Sequence, residues 1–143
     1  AVMSEDFRAA WIERSARVRR DGVASFAAPT VARWFSDEFK AANPQLLQRV
    51  QAMVERTSTD GYCGYANAFI GLDYEAQLPQ LQVPSLWLAG RRDRLVNPAA
   101  MQAAAEMAGG DFQCDEHGGH APFLTHPEAA TDAIRMFAEG AHA

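Results

Sequence analysis

The sequence lacks both a long apolar run and an excess of basic residues. Its 143 residues include 13 Lys and Arg against 18 Asp and Glu, so the formal net charge at pH 7 is −5. Proteins that bind nucleic acid have a basic surface, so the net negative charge argues against a nucleic-acid partner. A helix that crosses a bilayer needs about 20 consecutive apolar residues, and residues 1–7 lack the features of a signal peptide. We therefore expect no nucleic-acid partner and no membrane partner.

Cysteine is also scarce. Cys63 and Cys114 are the two cysteines, and they form no C-x-x-C pair. A disulfide scaffold in a small secreted domain uses more cysteines at closer spacing. We therefore expect two reduced thiols, with Cys63 and Cys114 inert, in a cytoplasmic protein.

What the sequence does contain is an ordinary globular composition, with 48% hydrophobic and 22% charged residues. The first half predicts helices. Ser4 can cap a helix that stops at Gly22, and a second helical stretch covers residues 23–35 with a break or restart at Pro29. Two more helices are predicted, one opened by Asn43 and Pro44 and one opened by Thr59 or Asp60.

The second half predicts a βαβα unit. Residues 83–90 form a nearly continuous apolar run that ends in glycine, as in a strand buried on both faces. A helix follows from residue 98, then a weaker strand at 111–115, then a last helix from Pro127. We expect an α/β protein with two parallel strands, divided into a helical region at 1–78 and an α/β region at 79–143.

Two strands are few for a parallel sheet, which normally has several strands and both faces covered. The helical first half can cover a face but cannot supply ladder partners. We expect the sheet to be completed by an N-terminal half outside this sequence or by a partner chain. A second copy of the chain, pairing through its open strand edge, is the homo-oligomeric alternative.

Two polar segments follow the two predicted strands. GRRD (90–93) places Asp93 after the first strand, and GGHAPF (118–123) places His120 after the second. Functional groups gather at the carboxyl ends of parallel strands, so Asp93 and His120 can meet in space. The carboxylate of such a pair orients the imidazole, which takes the proton of a nucleophile. The competing interpretation is a turn aspartate and a solvated histidine.

These motifs resemble the C-terminal third of the α/β-hydrolase fold. The resemblance lies in LWLAGRRDRLVNP (86–98) and GHAPFLTHPE (119–128), with Asp before His as in that superfamily. Four segments of the first half, together with the segment around Asp73, resemble the helical cap of 3-oxoadipate enol-lactonases. They are WIER (11–14), VRRDG (18–22), RWF (33–35) and TDGY (59–62). The similarity runs from about residue 11 to residue 137.

The resemblance implies a hydrolase without a cofactor that opens a small-molecule lactone or ester, in the breakdown of aromatic compounds. It implies Asp93 as the acid of the triad, His120 as the general base and Trp34 as a residue that lines the substrate pocket. A carboxylesterase of other acyl specificity is the alternative within the class, because the cap sets specificity.

The nucleophile is the missing part. The family carries its serine in a G-x-S-x-G turn, and none of the six serines here has glycines at both positions: Ser4, Ser15, Ser25, Ser36, Ser58 and Ser85. We expect this chain alone to be inactive. A non-catalytic fragment that acts by assembly with another chain is the alternative from a different class.

Other residues near His120 have competing roles. His117 is the alternative base. Together with Asp115 and Glu116 the two histidines could be imagined as metal ligands, but a contiguous glycine-rich loop does not have the spacing of a zinc site. We expect no metal. His126 is expected to help start the last helix.

Overall fold

A computed structural model describes residues 4–140 of the chain. Residues 1–3 of the predicted helical region and 141–143 of the predicted α/β region lie outside the described residues. The described elements are α1 (Glu5–Asp21), α2 (Ala24–Ala32), α3 (Asp37–Ala42), α4 (Pro44–Glu55), α5 (Thr59–Ile70), a 3₁₀ helix (Glu75–Gln80), β1 (Leu86–Gly90), α6 (Pro98–Met107), β2 (Asp111–Asp115), α7 (Pro122–Thr125) and α8 (Pro127–Gly140).

The elements form two compact units. Of the described residues, the first unit contains 4–32 together with 40–74, and the second contains 33–39 together with 75–140. The short segment 33–39, which includes Trp34, thus belongs with the strands, and so do the residues that carry Asp93 and His120.

The first unit is helical and is built on a small apolar core. The Ser4 hydroxyl accepts a hydrogen bond from the Phe7 N–H (3.2 Å) and so caps α1, which ends at Gly22 with a φ of 76°. α1 packs against α5, and α2 packs against α4. The buried residues at the centre come from α1, α2, α5 and the turn just before α2: Val18, Val23, Phe26 and Cys63. Cys63 is fully buried, whereas Cys114 is half-buried.

The prediction that Pro29 interrupts the second helix is wrong, because α2 runs through it. A proline removes one N–H and crowds the carbonyl four residues before it, here that of Ser25. Ser25 and Pro29 are both exposed, so water can reach the freed carbonyl. Ser58 rather than Thr59 caps α5, since its hydroxyl accepts the Gly61 N–H at 3.0 Å.

The second unit contains the predicted βαβα arrangement, and its parallel pairing is confirmed. β1 and β2 pair in parallel, with Leu86 opposite Asp111 and Gly90 opposite Asp115. The crossover helix α6 begins after Asn97, whose side-chain oxygen accepts the Ala99 N–H at 2.9 Å. Within residues 4–140 the sheet has these two strands.

β1 is buried at its carboxyl end and partly exposed along the rest of its length. Its last two residues, Ala89 and Gly90, are buried, whereas Leu86, Trp87 and Leu88 are only half-buried. In the described part of the chain no helix is long and apolar enough to cross a membrane.

Candidate active site

Asp93 and His120 meet at the carboxyl ends of the two strands. β1 ends at Gly90 and β2 at Asp115, so each functional side chain lies a few residues beyond its strand. The Nδ1 atom of His120 lies 3.0 Å from the Oδ2 atom of Asp93. This is within the range of about 2.6–3.2 Å expected for a catalytic hydrogen bond. The prediction from the sequence that these two side chains come together is confirmed.

Backbone donors fix the carboxylate of Asp93. Its Oδ1 atom accepts hydrogen bonds from the N–H groups of Leu95 (2.7 Å) and Val96 (3.1 Å). Its own N–H donates to the Gly90 carbonyl at the end of β1 (3.1 Å). The side chain of Asp93 is 8% exposed and that of His120 is 33% exposed. The acid is therefore immobilised and shielded, while the imidazole faces partly outward.

The hydrogen bond to Asp93 decides which ring nitrogen of His120 is available. An ionised carboxylate only accepts, so His120 presents Nδ1–H to Asp93. The neutral ring then carries its lone pair on Nε2, the atom that can take a proton from a nucleophile.

Trp34 lies beside His120. The two ring centroids are 6.1 Å apart, with their planes inclined by 43°. The backbone N–H of His120 donates to the Trp34 carbonyl (3.3 Å), so the contact includes the main chain. Trp34 is half-buried. All three residues named from the sequence are thus within one cluster in the second unit.

Gly90 allows the His120 loop to approach the end of β1. A Cβ atom on residue 90 would overlap the carbonyl oxygens of Gly118 and Gly119. The Gly118 carbonyl also accepts the Arg92 N–H at 2.9 Å. The loops after the two strands are therefore joined through their backbones, a use of Gly90 that the sequence pattern did not reveal.

A second Asp–His pair lies at the end of β2. Asp115 Oδ1 accepts the His117 N–H (3.0 Å), and Asp115 Oδ2 bonds the Nδ1 atom of His126. Burial raises the pKa of Asp115, but the hydrogen bonds from His117, His126 and Gly118 outweigh it and leave the pKa below its usual value. The sequence analysis assigned His126 only to the start of the last helix and missed this pair.

The alternative base, His117, is not in this cluster. Its residue is exposed, and its backbone N–H rather than its ring makes the contact with Asp115. In the part of the chain that the structure describes, no three His, Cys, Asp or Glu side chains are grouped closely enough to hold a metal ion.

In the described residues, the hydroxyls of five serines have hydrogen-bond partners other than His120. The hydroxyls of Ser4, Ser36 and Ser58 accept backbone N–H groups at the starts of helices. Ser25 donates to the Gly22 carbonyl, and Ser85 accepts from the Trp87 indole. The hydrogen bond between Asp93 and His120 is thus present in the described residues, and the sequence contains no G-x-S-x-G turn.

The chain is similar to a family of known proteins. The family model described as "Alpha/beta hydrolase family" matches residues 2–133. A pimeloyl-[acyl-carrier protein] methyl ester esterase from Stenotrophomonas maltophilia (strain R551-3) is 43% identical over 105 residues, which are 73% of this chain and 39% of that protein.

Two solved structures are also similar. An esterase from Thermogutta terrifontis superposes with a TM-score of 0.88 at 25% identity, covering 98% of this chain and 52% of that one. The enol-lactonase from Burkholderia xenovorans LB400 superposes with a TM-score of 0.85 at 23% identity, covering 90% of this chain and 50% of that one. The chain thus spans about two fifths of the curated relative and half of each solved structure.

Proposed function

The chain belongs to the α/β-hydrolase family, and we propose that it supplies the acid and the base of a serine hydrolase that cleaves a carboxylic ester. The observation that carries the proposal is the 3.0 Å hydrogen bond between Asp93 and His120 at the ends of two parallel strands. The nucleophilic serine comes from a part of the protein outside this sequence, because no G-x-S-x-G turn is present.

In this mechanism His120 Nε2 removes the serine proton as the hydroxyl attacks the ester carbonyl. Asp93 holds the ring and stabilises the imidazolium that forms. The imidazolium then gives the proton to the leaving alcohol, and an acyl-enzyme remains. Water, deprotonated by the same nitrogen, then attacks the acyl-enzyme. The imidazolium returns that proton to the serine oxygen as the carboxylic acid leaves, which restores the neutral ring and the serine hydroxyl.

We propose a methyl ester of an acyl chain as the preferred substrate. The curated relative at 43% identity carries that chemistry in its name, whereas the lactonase structure at 23% identity indicates the fold alone. Lactone hydrolysis in the breakdown of aromatic compounds is the second candidate, favoured by the cap segments WIER (11–14) and TDGY (59–62). We assign residues 1–78 to the cap and 79–143 to the core, and place Trp34 at the substrate because its ring lies beside that of His120.

The rest of the sheet is the proposed partner of β1. Leu86, Trp87 and Leu88 are only half-buried, so a strand from the other half of the protein would complete their burial. A second copy of this chain is the alternative occupant. We propose the cytoplasm as the compartment, in keeping with the free thiols of Cys63 and Cys114.

A substrate panel tests the proposed function. The complete hydrolase, meaning this chain together with the part that carries the serine, is assayed on methyl esters of acyl chains, including a pimeloyl chain on acyl-carrier protein, and on enol-lactones. We expect kcat/KM for the best methyl ester to exceed that for the best lactone by about tenfold or more. The loss of a few contacts in a substrate pocket lowers kcat/KM by about this factor.

The control is the same hydrolase with its nucleophilic serine replaced by alanine, which removes non-enzymatic turnover from the comparison. Faster turnover of lactones would make the second candidate correct. Hydrolysis of neither class would contradict the proposed function.

A further inference from the structure

A side-chain hydrogen bond between Asp115 and His126 joins the two ends of the segment that carries His120. Asp115 is the last residue of β2, and His126 follows α7 directly. The side-chain bond between them spans eleven positions of sequence, and His120 lies inside that span. The two ends of the loop are therefore joined by a contact that does not involve His120 itself.

The Asp115 carboxylate lies directly beneath the loop. A Cβ atom on Gly118 would come within 2.6 Å of Asp115 Oδ2, so the chain passes over the carboxylate with no room between. Oδ1 accepts the His117 N–H (3.0 Å), and the Asp115 carbonyl accepts the N–H groups of Arg91 (2.8 Å) and Gly118 (3.1 Å). One residue thus fixes the first half of the loop.

His126 fixes the second half. Its N–H donates to the Pro122 carbonyl (2.7 Å), and its carbonyl accepts the Ala130 N–H (3.1 Å), so it joins α7 to α8. α7 begins immediately after the loop, since the Ala121 carbonyl accepts the Leu124 N–H (2.9 Å). The ring of His126 therefore ties the helices that follow His120 to the strand that precedes it.

We infer that Asp115 and His126 are a positioning pair, which holds the His120 loop so that the imidazole stays aligned on Asp93. The inference rests on the proposed function of Asp93 and His120. Neither Asp115 nor His126 bonds His120 or Asp93, so they act through the loop backbone. A displacement of a catalytic group by about 1 Å can lower the rate about 100-fold. A loop that is not held at one of its ends allows such a displacement.

The test separates the hydrogen bond from the bulk of the side chain. In the complete hydrolase, His126→Phe keeps a ring and loses the donor, whereas His126→Asn places an amide N–H where Nδ1 stood. We expect His126→Phe to lower kcat about 10- to 100-fold with KM within twofold, and His126→Asn to recover kcat to within about threefold of the unaltered enzyme. His117→Ala is the matched control, because its ring is exposed and its backbone N–H is retained, and its kcat should not change.

A spectroscopic measurement keeps this inference separate from the proposed function. In the complete hydrolase the Nδ1–H of His120 bonded to Asp93 should give a low-field proton NMR signal, which His126→Phe should broaden or remove while the amide spectrum of the helical unit is unchanged. If His126→Phe does not fold, Asp115→Ala is measured in its place, because it removes the acceptor of His126, and the same loss is expected.

Two results would overturn the inference. One is a kcat for His126→Phe within twofold of the unaltered enzyme with the low-field signal intact. The other is a His126→Asn variant as impaired as His126→Phe, which would make ring packing rather than the hydrogen bond responsible. An inactive unaltered hydrolase would contradict the proposed function instead, and the NMR result would still decide the role of the pair.

Discussion

Replacing His120 with alanine in the complete hydrolase is expected to lower kcat by about 10⁴-fold or more. The alanine variant has no group to take the serine proton, so attack depends on a neutral hydroxyl. KM should change little, because His120 is the proton-transfer group rather than a main substrate contact. The fold should survive, since the side chain is one-third exposed and its loop is held by backbone hydrogen bonds.

Steady-state kinetics with the preferred ester, together with thermal unfolding, provide the measurement. His117→Ala is again the matched control, since it removes an imidazole three residues away that does not contact Asp93. If His120→Ala kept near-normal turnover and His117→Ala lost it, the base would be His117.

Replacing Asp93 with asparagine is expected to lower kcat by about 10³- to 10⁴-fold. The amide can still accept the N–H groups of Leu95 and Val96 through its oxygen, so the turn should remain. Its NH₂ group then faces His120 Nδ1 and demands a lone pair there. The proton moves to Nε2, and the ring can no longer accept the proton of the nucleophile.

The same kinetic measurements test this substitution, with Asp111→Asn as the control. Asp111 is an exposed residue at the start of β2, at the opposite end of the strand from Asp115, so its variant removes one carboxylate without touching the site. Normal turnover by Asp93→Asn would remove Asp93 from the triad.

The positions of Asp93 and His120 could be predicted from the sequence because they follow from topology. An apolar run at 83–90 and a weaker strand at 111–115, separated by a predicted helix, predict parallel strands, and parallel strands bring the loops that follow them to one edge. The contact between Asp93 and His120 could be predicted without knowledge of side-chain packing. The Ser4 and Asn97 caps were predictable for a similar reason, since each depends on a local hydrogen bond.

The features that the sequence did not predict depend on distant neighbours. Pro29 reads as a helix breaker, and only its exposure in the folded unit explains why α2 continues through it. Gly90 looks like an ordinary strand end until the Gly118 and Gly119 carbonyls are seen against it. His126 precedes a proline and so suggests a helix start, whereas its partner Asp115 belongs to another element.

In the proposed hydrolase, His120 stands between the buried carboxylate of Asp93 and a serine from the other part of the protein. The most direct measurement is a crystal structure of the complete hydrolase in which the serine has reacted with a phosphonate ester. We expect the serine oxygen to lie within about 2.6–3.2 Å of His120 Nε2 while Nδ1 remains on Asp93. A reacted serine lying far from His120, or a His120 ring turned away from Asp93, would contradict it.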